Sequence, residues 1–112
     1  MGLRGRGFYS LVSGVDSNPT AHELDVLLRA QRPAWVQQTP LPGDLVFWNW
    51  IGQDGKNWGH TGIVVRRSRL KPNELWVAQN TMAKTGVRYG GALAMIPLAD
   101  MGTPRTIIRI GA

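Results

Sequence analysis

The chain has no cysteine among its 112 residues. Without cysteine a protein forms no disulfide bonds, has no thiolate ligands for metals and has no thiol nucleophile. Long apolar runs are also missing, since the longest, such as ALAMIPLA, are far shorter than the roughly 20 residues that span a bilayer. The N-terminal MGLRGRG is positively charged, but no apolar run of signal-peptide length follows it. We therefore expect no membrane span and no export signal of the chain's own.

The composition that remains is that of an ordinary globular protein, with 43% apolar and 18% charged residues. A chain of this length is expected to form one domain. We predict a flexible N-terminal arm over 1–6 and a single domain over 7–112. The net charge of +6 favours an anionic partner, such as nucleic acid, an anionic lipid surface or the anionic polymers of a bacterial wall.

The first third of the domain has the patterns of two helices. The first helix would bury one apolar face with helical spacing, made of Phe8, Leu11, Val12 and Val15. The second begins at a capping box, in which Thr20 and Glu23 satisfy free backbone N–H groups of the first turn. Pro33 ends it, because the residue before a proline disfavours helical geometry.

The remaining two thirds have the patterns of about five strands separated by turns. The predicted strands are LVFWNWI, HTGIVVRR, ELWVAQNT, ALAMIPL and RTIIRI. PAWVQQTPLPGD, between the second helix and the first strand, is predicted to be a loop. Helices followed by strands predict an α+β domain, with two helices packed on one side of a curled, mostly antiparallel sheet.

One histidine has a position suited to proton transfer. His60 follows a glycine at the start of a predicted strand, and an imidazole titrates near neutral pH. A general-base histidine also needs an acceptor for its second ring nitrogen. Asn80, in the next predicted strand, could offer its side-chain carbonyl. The alternative for His60 is a structural role at the start of a strand, and for Asn80 a local pairing role.

These segments together resemble a known enzyme group. PGDLVFW, then GHTGIVV, then an apolar strand containing QN is similar to the CHAP and NlpC/P60 group of papain-like peptidoglycan hydrolases. The resemblance covers about residues 7–82 and implies a papain-like fold. It makes His60 the base and Asn80 the orienting residue, and it places Ala78 where the family has an acid.

The same resemblance leaves the nucleophile position without a reactive atom. The family's cysteine stands at the start of the first helix, and the frame FYSLV puts Phe8 there. Ser10 is the substitute candidate, although two residues turn a helix by about 200° and direct it away from the same cleft. We therefore expect impaired or absent catalysis.

Three tryptophans flank the proposed cleft in the sequence. Trp48, Trp50 and Trp58 could line a groove for sugar or peptide together with Gln79, since flat rings stack on such ligands. The alternative is that the tryptophans pack under the helices. The two histidines, His22 and His60, are far apart and have no acidic cluster around them, so we predict neither a metal site nor a cofactor.

Three functions from different classes remain open. The first is a peptidoglycan amidase or endopeptidase that uses Ser10. The second is a related domain that binds or builds without cutting, in a phage tail or a secretion device, beside neighbouring subunits and the wall. The third is a basic nucleic-acid-binding module, which is disfavoured because the aromatic residues do not lie among the arginines. The expected place of action is the bacterial cell wall, as a virion or secreted-assembly component.

Overall fold

The computed structural model of the protein describes residues 11–14, 19–66, 69–71, 73–81 and 92–112, and for residues 80, 81, 92 and 93 it describes the backbone only. The predicted arm and most of the first predicted helix, including Phe8 and Ser10, lie outside these residues. Within them, one α-helix, α1, spans Ala21–Gln31. Short 3₁₀ helices span Pro33–Trp35 and Leu98–Met101.

The described strands form one open antiparallel sheet of six members rather than five. They are β1 (Val36–Gln37), β2 (Leu45–Trp48), β3 (His60–Arg66), β4 (Leu75–Thr81), β5 (Ala92–Pro97) and β6 (Thr106–Ile108). Their order across the sheet is β1-β6-β2-β3-β4-β5, and every neighbouring pair is antiparallel. The coarse expectation of an α+β domain with an antiparallel sheet is therefore confirmed.

The additional strand is β1, which lies in the segment predicted to be a loop. Val36 pairs with Ile108 and Gln37 with Ile107, at one edge of the sheet. Two residues are too few for an alternating pattern to be visible in the sequence. The strand exists because β6, about 70 residues later, offers a free edge beside it.

Helix α1 begins and ends where the sequence predicts. The Thr20 hydroxyl accepts a hydrogen bond from the Glu23 backbone N–H at 3.1 Å, and the Glu23 carboxylate lies 3.3 Å from that hydroxyl. The helix stops at Gln31, and Pro33 opens the first 3₁₀ helix. This end follows from the restriction that a proline places on the residue before it.

The sheet has an apolar cluster on each face. Helix α1 covers one face, and the buried residues there are Val12, Leu24, Leu28, Leu45, Phe47 and Ile108. The second 3₁₀ helix covers the other face, where the buried residues are Val46, Val64, Val77 and Ile107. Alternation along the strands sends successive side chains to opposite faces, so both clusters use the same strands.

Candidate functional site

His60 is the first residue of β3 and pairs with Trp48 of β2. Its half-buried imidazole lies on the face away from α1 and is hydrogen-bonded through Nε2 to Oε1 of Gln79. Gln79 is buried, with 6% of its surface exposed, and its Nε2 donates to Met101 Sδ at 3.4 Å. An amide oxygen only accepts hydrogen bonds, so the proton of the neutral imidazole is on Nε2. Nδ1 therefore keeps a lone pair that can take up a proton.

A glycine makes room for this pair. Gly62 lies two residues after His60 on the same strand, and a Cβ placed there would collide with Cγ1 of Val77 and come within 3.5 Å of the Gln79 Cβ. The missing side chain lets β4 carry Val77 and Gln79 close over β3. The GHTG sequence therefore supplies both the histidine of the site and, at Gly62, the space that lets β4 approach β3 beside it.

Trp48 lies beside His60 on the neighbouring strand, β2. The two ring centroids are 5.9 Å apart, with 34° between the planes. Its indole Nε1 donates to the carbonyl oxygen of Gly102 at 3.2 Å. Trp48 packs against the apolar cluster opposite α1. It therefore joins His60 to the segment after the second 3₁₀ helix. The alternative that Trp48 packs under α1 is wrong, since its cluster lies on the opposite face of the sheet.

The other two predicted groove tryptophans do not share this environment. Trp50 is 52% exposed just after β2, and Trp58 is 39% exposed just before β3. The Trp58 Nε1 donates to Asp54 Oδ1 at 3.3 Å, and Lys56 Nζ lies 4.5 Å from its ring centroid. Contacts within the loop between β2 and β3 thus hold the Trp58 side chain, whereas the Trp50 side chain is half exposed.

The loop carboxylate has a shifted titration. The backbone N–H of Lys56 donates to Asp54 Oδ1 at 2.9 Å, and this hydrogen bond holds the pKa of Asp54 below its usual value, helped by the Trp58 indole. Hydrogen bonds to the charged form favour that form.

The proposed orienting residue and the contact partner of His60 are neighbours in β4. Gln79, predicted to line the substrate groove, is the residue that contacts the imidazole. The backbone of Asn80 pairs with Leu93 of β5, and its side chain lies outside what the structure describes. The orienting role of Asn80 stays a prediction, as do the roles of Phe8 and Ser10.

A second polar cluster, missed by the sequence analysis, lies at the same end of the sheet. Buried Asp25 of α1 has Oδ2 3.5 Å from Nε of Arg105, and Arg105 Nη1 donates to Asn49 Oδ1 at 2.8 Å. His22 is half-buried, with Nδ1 3.5 Å from the same Nη1. No local pattern signals this cluster, because Asp25 and Arg105 are far apart in the sequence.

Three further features of the described residues concern possible ligands and the membrane. No group of three potential metal-ligating side chains occurs in the described parts of the chain. A groove of about 540 Å³ lies beside Gln37, Leu98 and Arg105, and neither His60 nor Gln79 lines it. Of the described helices, none has the length and apolar character that crossing a membrane requires.

Comparison with known proteins adds no relative. No family model matches the chain, and no curated protein or solved structure is significantly similar to it.

Proposed function

We propose that this chain is a peptidoglycan hydrolase-like domain of amidase or endopeptidase type whose catalysis is impaired or absent. In this proposal it contacts the bacterial wall as part of a larger assembly, such as a phage tail or a secretion device. Binding of the wall is then its main activity, and the site around His60 is what remains of the enzyme.

The pairing of His60 with Gln79 carries this proposal. A general-base histidine needs one ring nitrogen held by an acceptor and the other left basic. Gln79 Oε1 holds Nε2, which leaves Nδ1 for proton transfer.

The missing attacker argues against a working enzyme. Hydrolysis through a covalent intermediate needs a nucleophile within hydrogen-bond reach of the base. The chain has no cysteine, and its family-like frame has Phe8 at that position. A phenylalanine side chain has no atom that could attack a carbonyl.

The charge distribution supports a wall polymer over nucleic acid as the partner. The net charge of +6 suits an anionic polymer. Exposed Trp50 and Trp58 lie near the start of β3, where Lys56 lies against the Trp58 ring and Arg105 is paired with Asp25. Exposed Arg66 is at the other end of β3, about 20 Å away at the usual rise of a strand. Single-stranded nucleic-acid binders combine stacking rings with cations along one groove.

The test combines release and binding in one experiment. Purified protein is incubated with peptidoglycan, the soluble muropeptides are read by mass spectrometry, and the protein in the pellet is measured. We expect pelleting with the wall and no muropeptide release. The His60→Ala variant and the Gln53→Ala variant, which changes an exposed loop residue, serve as a matched pair.

Each other outcome has a defined meaning. Release that depends on His60 would show a working hydrolase with a substitute nucleophile, and Ser10 would be the next residue to replace. A protein that neither releases muropeptides nor pellets with the wall would refute the proposal. Retention on nucleic acid in that case would favour the basic-module alternative.

A further inference from the structure

One side chain, that of Asn57, adds hydrogen bonds to the backbone contacts that close the loop between β2 and β3. Asn57 Oδ1 accepts hydrogen bonds from the backbone N–H groups of Trp50, at 3.1 Å, and Gly59, at 3.0 Å. Its Nδ2 donates to Asn49 Oδ1 at 2.9 Å. Gly59 directly precedes His60, so Asn57 is hydrogen-bonded to the backbone from which the imidazole extends.

A charged pair connects this loop to the helix. Asn49 Oδ1 also accepts from Arg105 Nη1 at 2.8 Å, and Arg105 Nε lies 3.5 Å from Oδ2 of buried Asp25. Among the described residues, the other oxygen of Asp25 has no hydrogen-bond partner. A buried carboxylate with so few contacts is stabilised mainly by its arginine. The Asp25 side chain therefore fixes the position of the Arg105 guanidinium at this end of the sheet.

The helix also touches the residue before His60 directly. Gly59 is buried with φ +69°, and a Cβ there would lie 2.6 Å from the backbone nitrogen of His22. That nitrogen donates to the carbonyl oxygen of Trp58 at 3.1 Å. Besides its backbone pairing with β2 and Trp50, the start of β3 is thus contacted by α1 and by the Asn57 carboxamide.

We propose that Asn57, linked through Asn49 to the Arg105–Asp25 pair, is the positioning residue that holds His60 in hydrogen-bonding contact with Gln79. Its side chain is hydrogen-bonded to Trp50, Gly59 and Asn49 and not to the imidazole, and it acts by setting the direction of the Gly59–His60 backbone. The inference rests on the proposed role of His60 as the base of a hydrolase-like site, and it names what keeps that base oriented.

The test measures a property of the His60 imidazole and not enzymatic activity. In protein labelled with ¹⁵N-histidine, exchange of the His60 Nε2 proton with water is measured by NMR, since a ring proton held by Gln79 exchanges slowly. We expect Asn57→Ala to make this exchange about tenfold faster, the factor that corresponds to losing roughly one hydrogen bond. Asn49→Ala, which keeps both backbone contacts of Asn57, should have a smaller effect in the same direction.

The controls separate positioning from loss of the fold. Gln53→Ala changes an exposed residue of the same loop outside this network and should leave the exchange rate unchanged. Backbone amide exchange in β4 should stay slow in every variant. If Asn57→Ala leaves the His60 proton as protected as in the parent protein, the positioning role is wrong.

Gln79→Leu distinguishes this inference from the function on which it rests. If that variant also leaves exchange slow, the His60–Gln79 pair is not what protects the proton, so the positioning role is wrong and the proposed function loses the observation that carries it. If Gln79→Leu accelerates exchange and Asn57→Ala does not, only the positioning role is refuted. Acceleration in both variants supports the inference.

Discussion

Arg109 and Asp44 form a two-pronged ion pair beside β2 and β6. The guanidinium Nε lies 3.0 Å from Oδ1 of Asp44, and Nη2 lies 2.9 Å from Oδ2. Asp44 is 2% exposed, and it also accepts the backbone N–H of Leu41 at 2.8 Å. Hydrogen bonding to the carboxylate raises the pKa of Arg109 above its already high ordinary value. The pair therefore fastens the turn before β2 to the residue after β6.

Asp44→Ala is expected to lower the free energy of unfolding by about 2 kcal/mol, because it removes the buried acceptor of charged hydrogen bonds and frees the Leu41 N–H. Asp44→Asn keeps an acceptor without the charge and should cost less. Urea denaturation followed by tryptophan fluorescence measures both. Asp100→Ala, at an exposed position of the second 3₁₀ helix, is the control and should change the midpoint little. Equal stability of Asp44→Ala and the parent would contradict the structural role of the pair.

Two glycines with similar backbone angles should respond differently to alanine. Gly55 has φ +77°, and a Cβ at this position would have no neighbouring atom within 4 Å, so Gly55→Ala should cost only left-handed strain, about 1–2 kcal/mol. Gly59 has φ +69° and lies against His22, so Gly59→Ala adds a backbone collision and should cost about 3–4 kcal/mol. Thermal unfolding of the two variants gives the comparison. A smaller loss at Gly59 than at Gly55 would show that α1 does not approach β3 this closely.

The lowered pKa of Asp54 gives the loop a defined dependence on pH. The pKa of Asp54 is lower in the folded protein than in the unfolded chain, where it is near 3.8. The carboxylate therefore stabilises the loop at pH values above the unfolded pKa, and this contribution is lost as the pH falls through the folded pKa. Trp58→Phe removes one of the stabilising donors and should move the Asp54 pKa upward, toward 3.8. Carboxyl ¹³C shifts recorded across an acid titration provide the measurement. An unchanged midpoint would show that the indole has no influence on the carboxylate.

Wall binding should depend on the turn between β3 and β4 that carries Arg69. Arg69 is exposed there beside Leu70, which is 92% exposed. Arg69→Glu is expected to weaken pelleting with peptidoglycan roughly two- to fivefold, because it places a negative charge toward an anionic polymer. Arg29→Glu makes the same charge change on α1 and should weaken binding less. Binding isotherms at several salt concentrations test this, since screening by salt should reduce the difference. Equal losses in the two variants would indicate that net charge alone matters.

Much of the fold follows from local patterns. The limits of α1 are local, set by Thr20 as the N-cap and by Pro33, and the structure agrees with both. Of the predicted capping box only the Thr20 half is formed, because the Glu23 carboxylate accepts from the Thr20 hydroxyl and not from a backbone N–H. Five of the six strands lie in segments whose composition predicts strands. The exception, Val36–Gln37, is a strand only through pairing with Ile107 and Ile108. Sequence patterns cannot show a pairing that depends on which distant edge is free.

The candidate site divides in the same way. That His60 stands at the start of a strand after a glycine was predictable from neighbouring residues. That Gln79 meets its imidazole was not, because a shift of one residue in register exchanges the two faces of a strand. The network from Asp25 through Arg105 to Asn57 likewise joins residues that only the folded chain brings together.

The net charge, the absence of a thiol nucleophile, the helix with its caps and most of the strands can thus be read from the order of residues alone. These features depend on composition and on contacts within a few residues. Which amide holds His60, which face carries the site and which buried charges face each other emerge only in the folded chain. Those outcomes depend on strand register and on the packing of α1 against the sheet, where contacts between distant residues outweigh local preference.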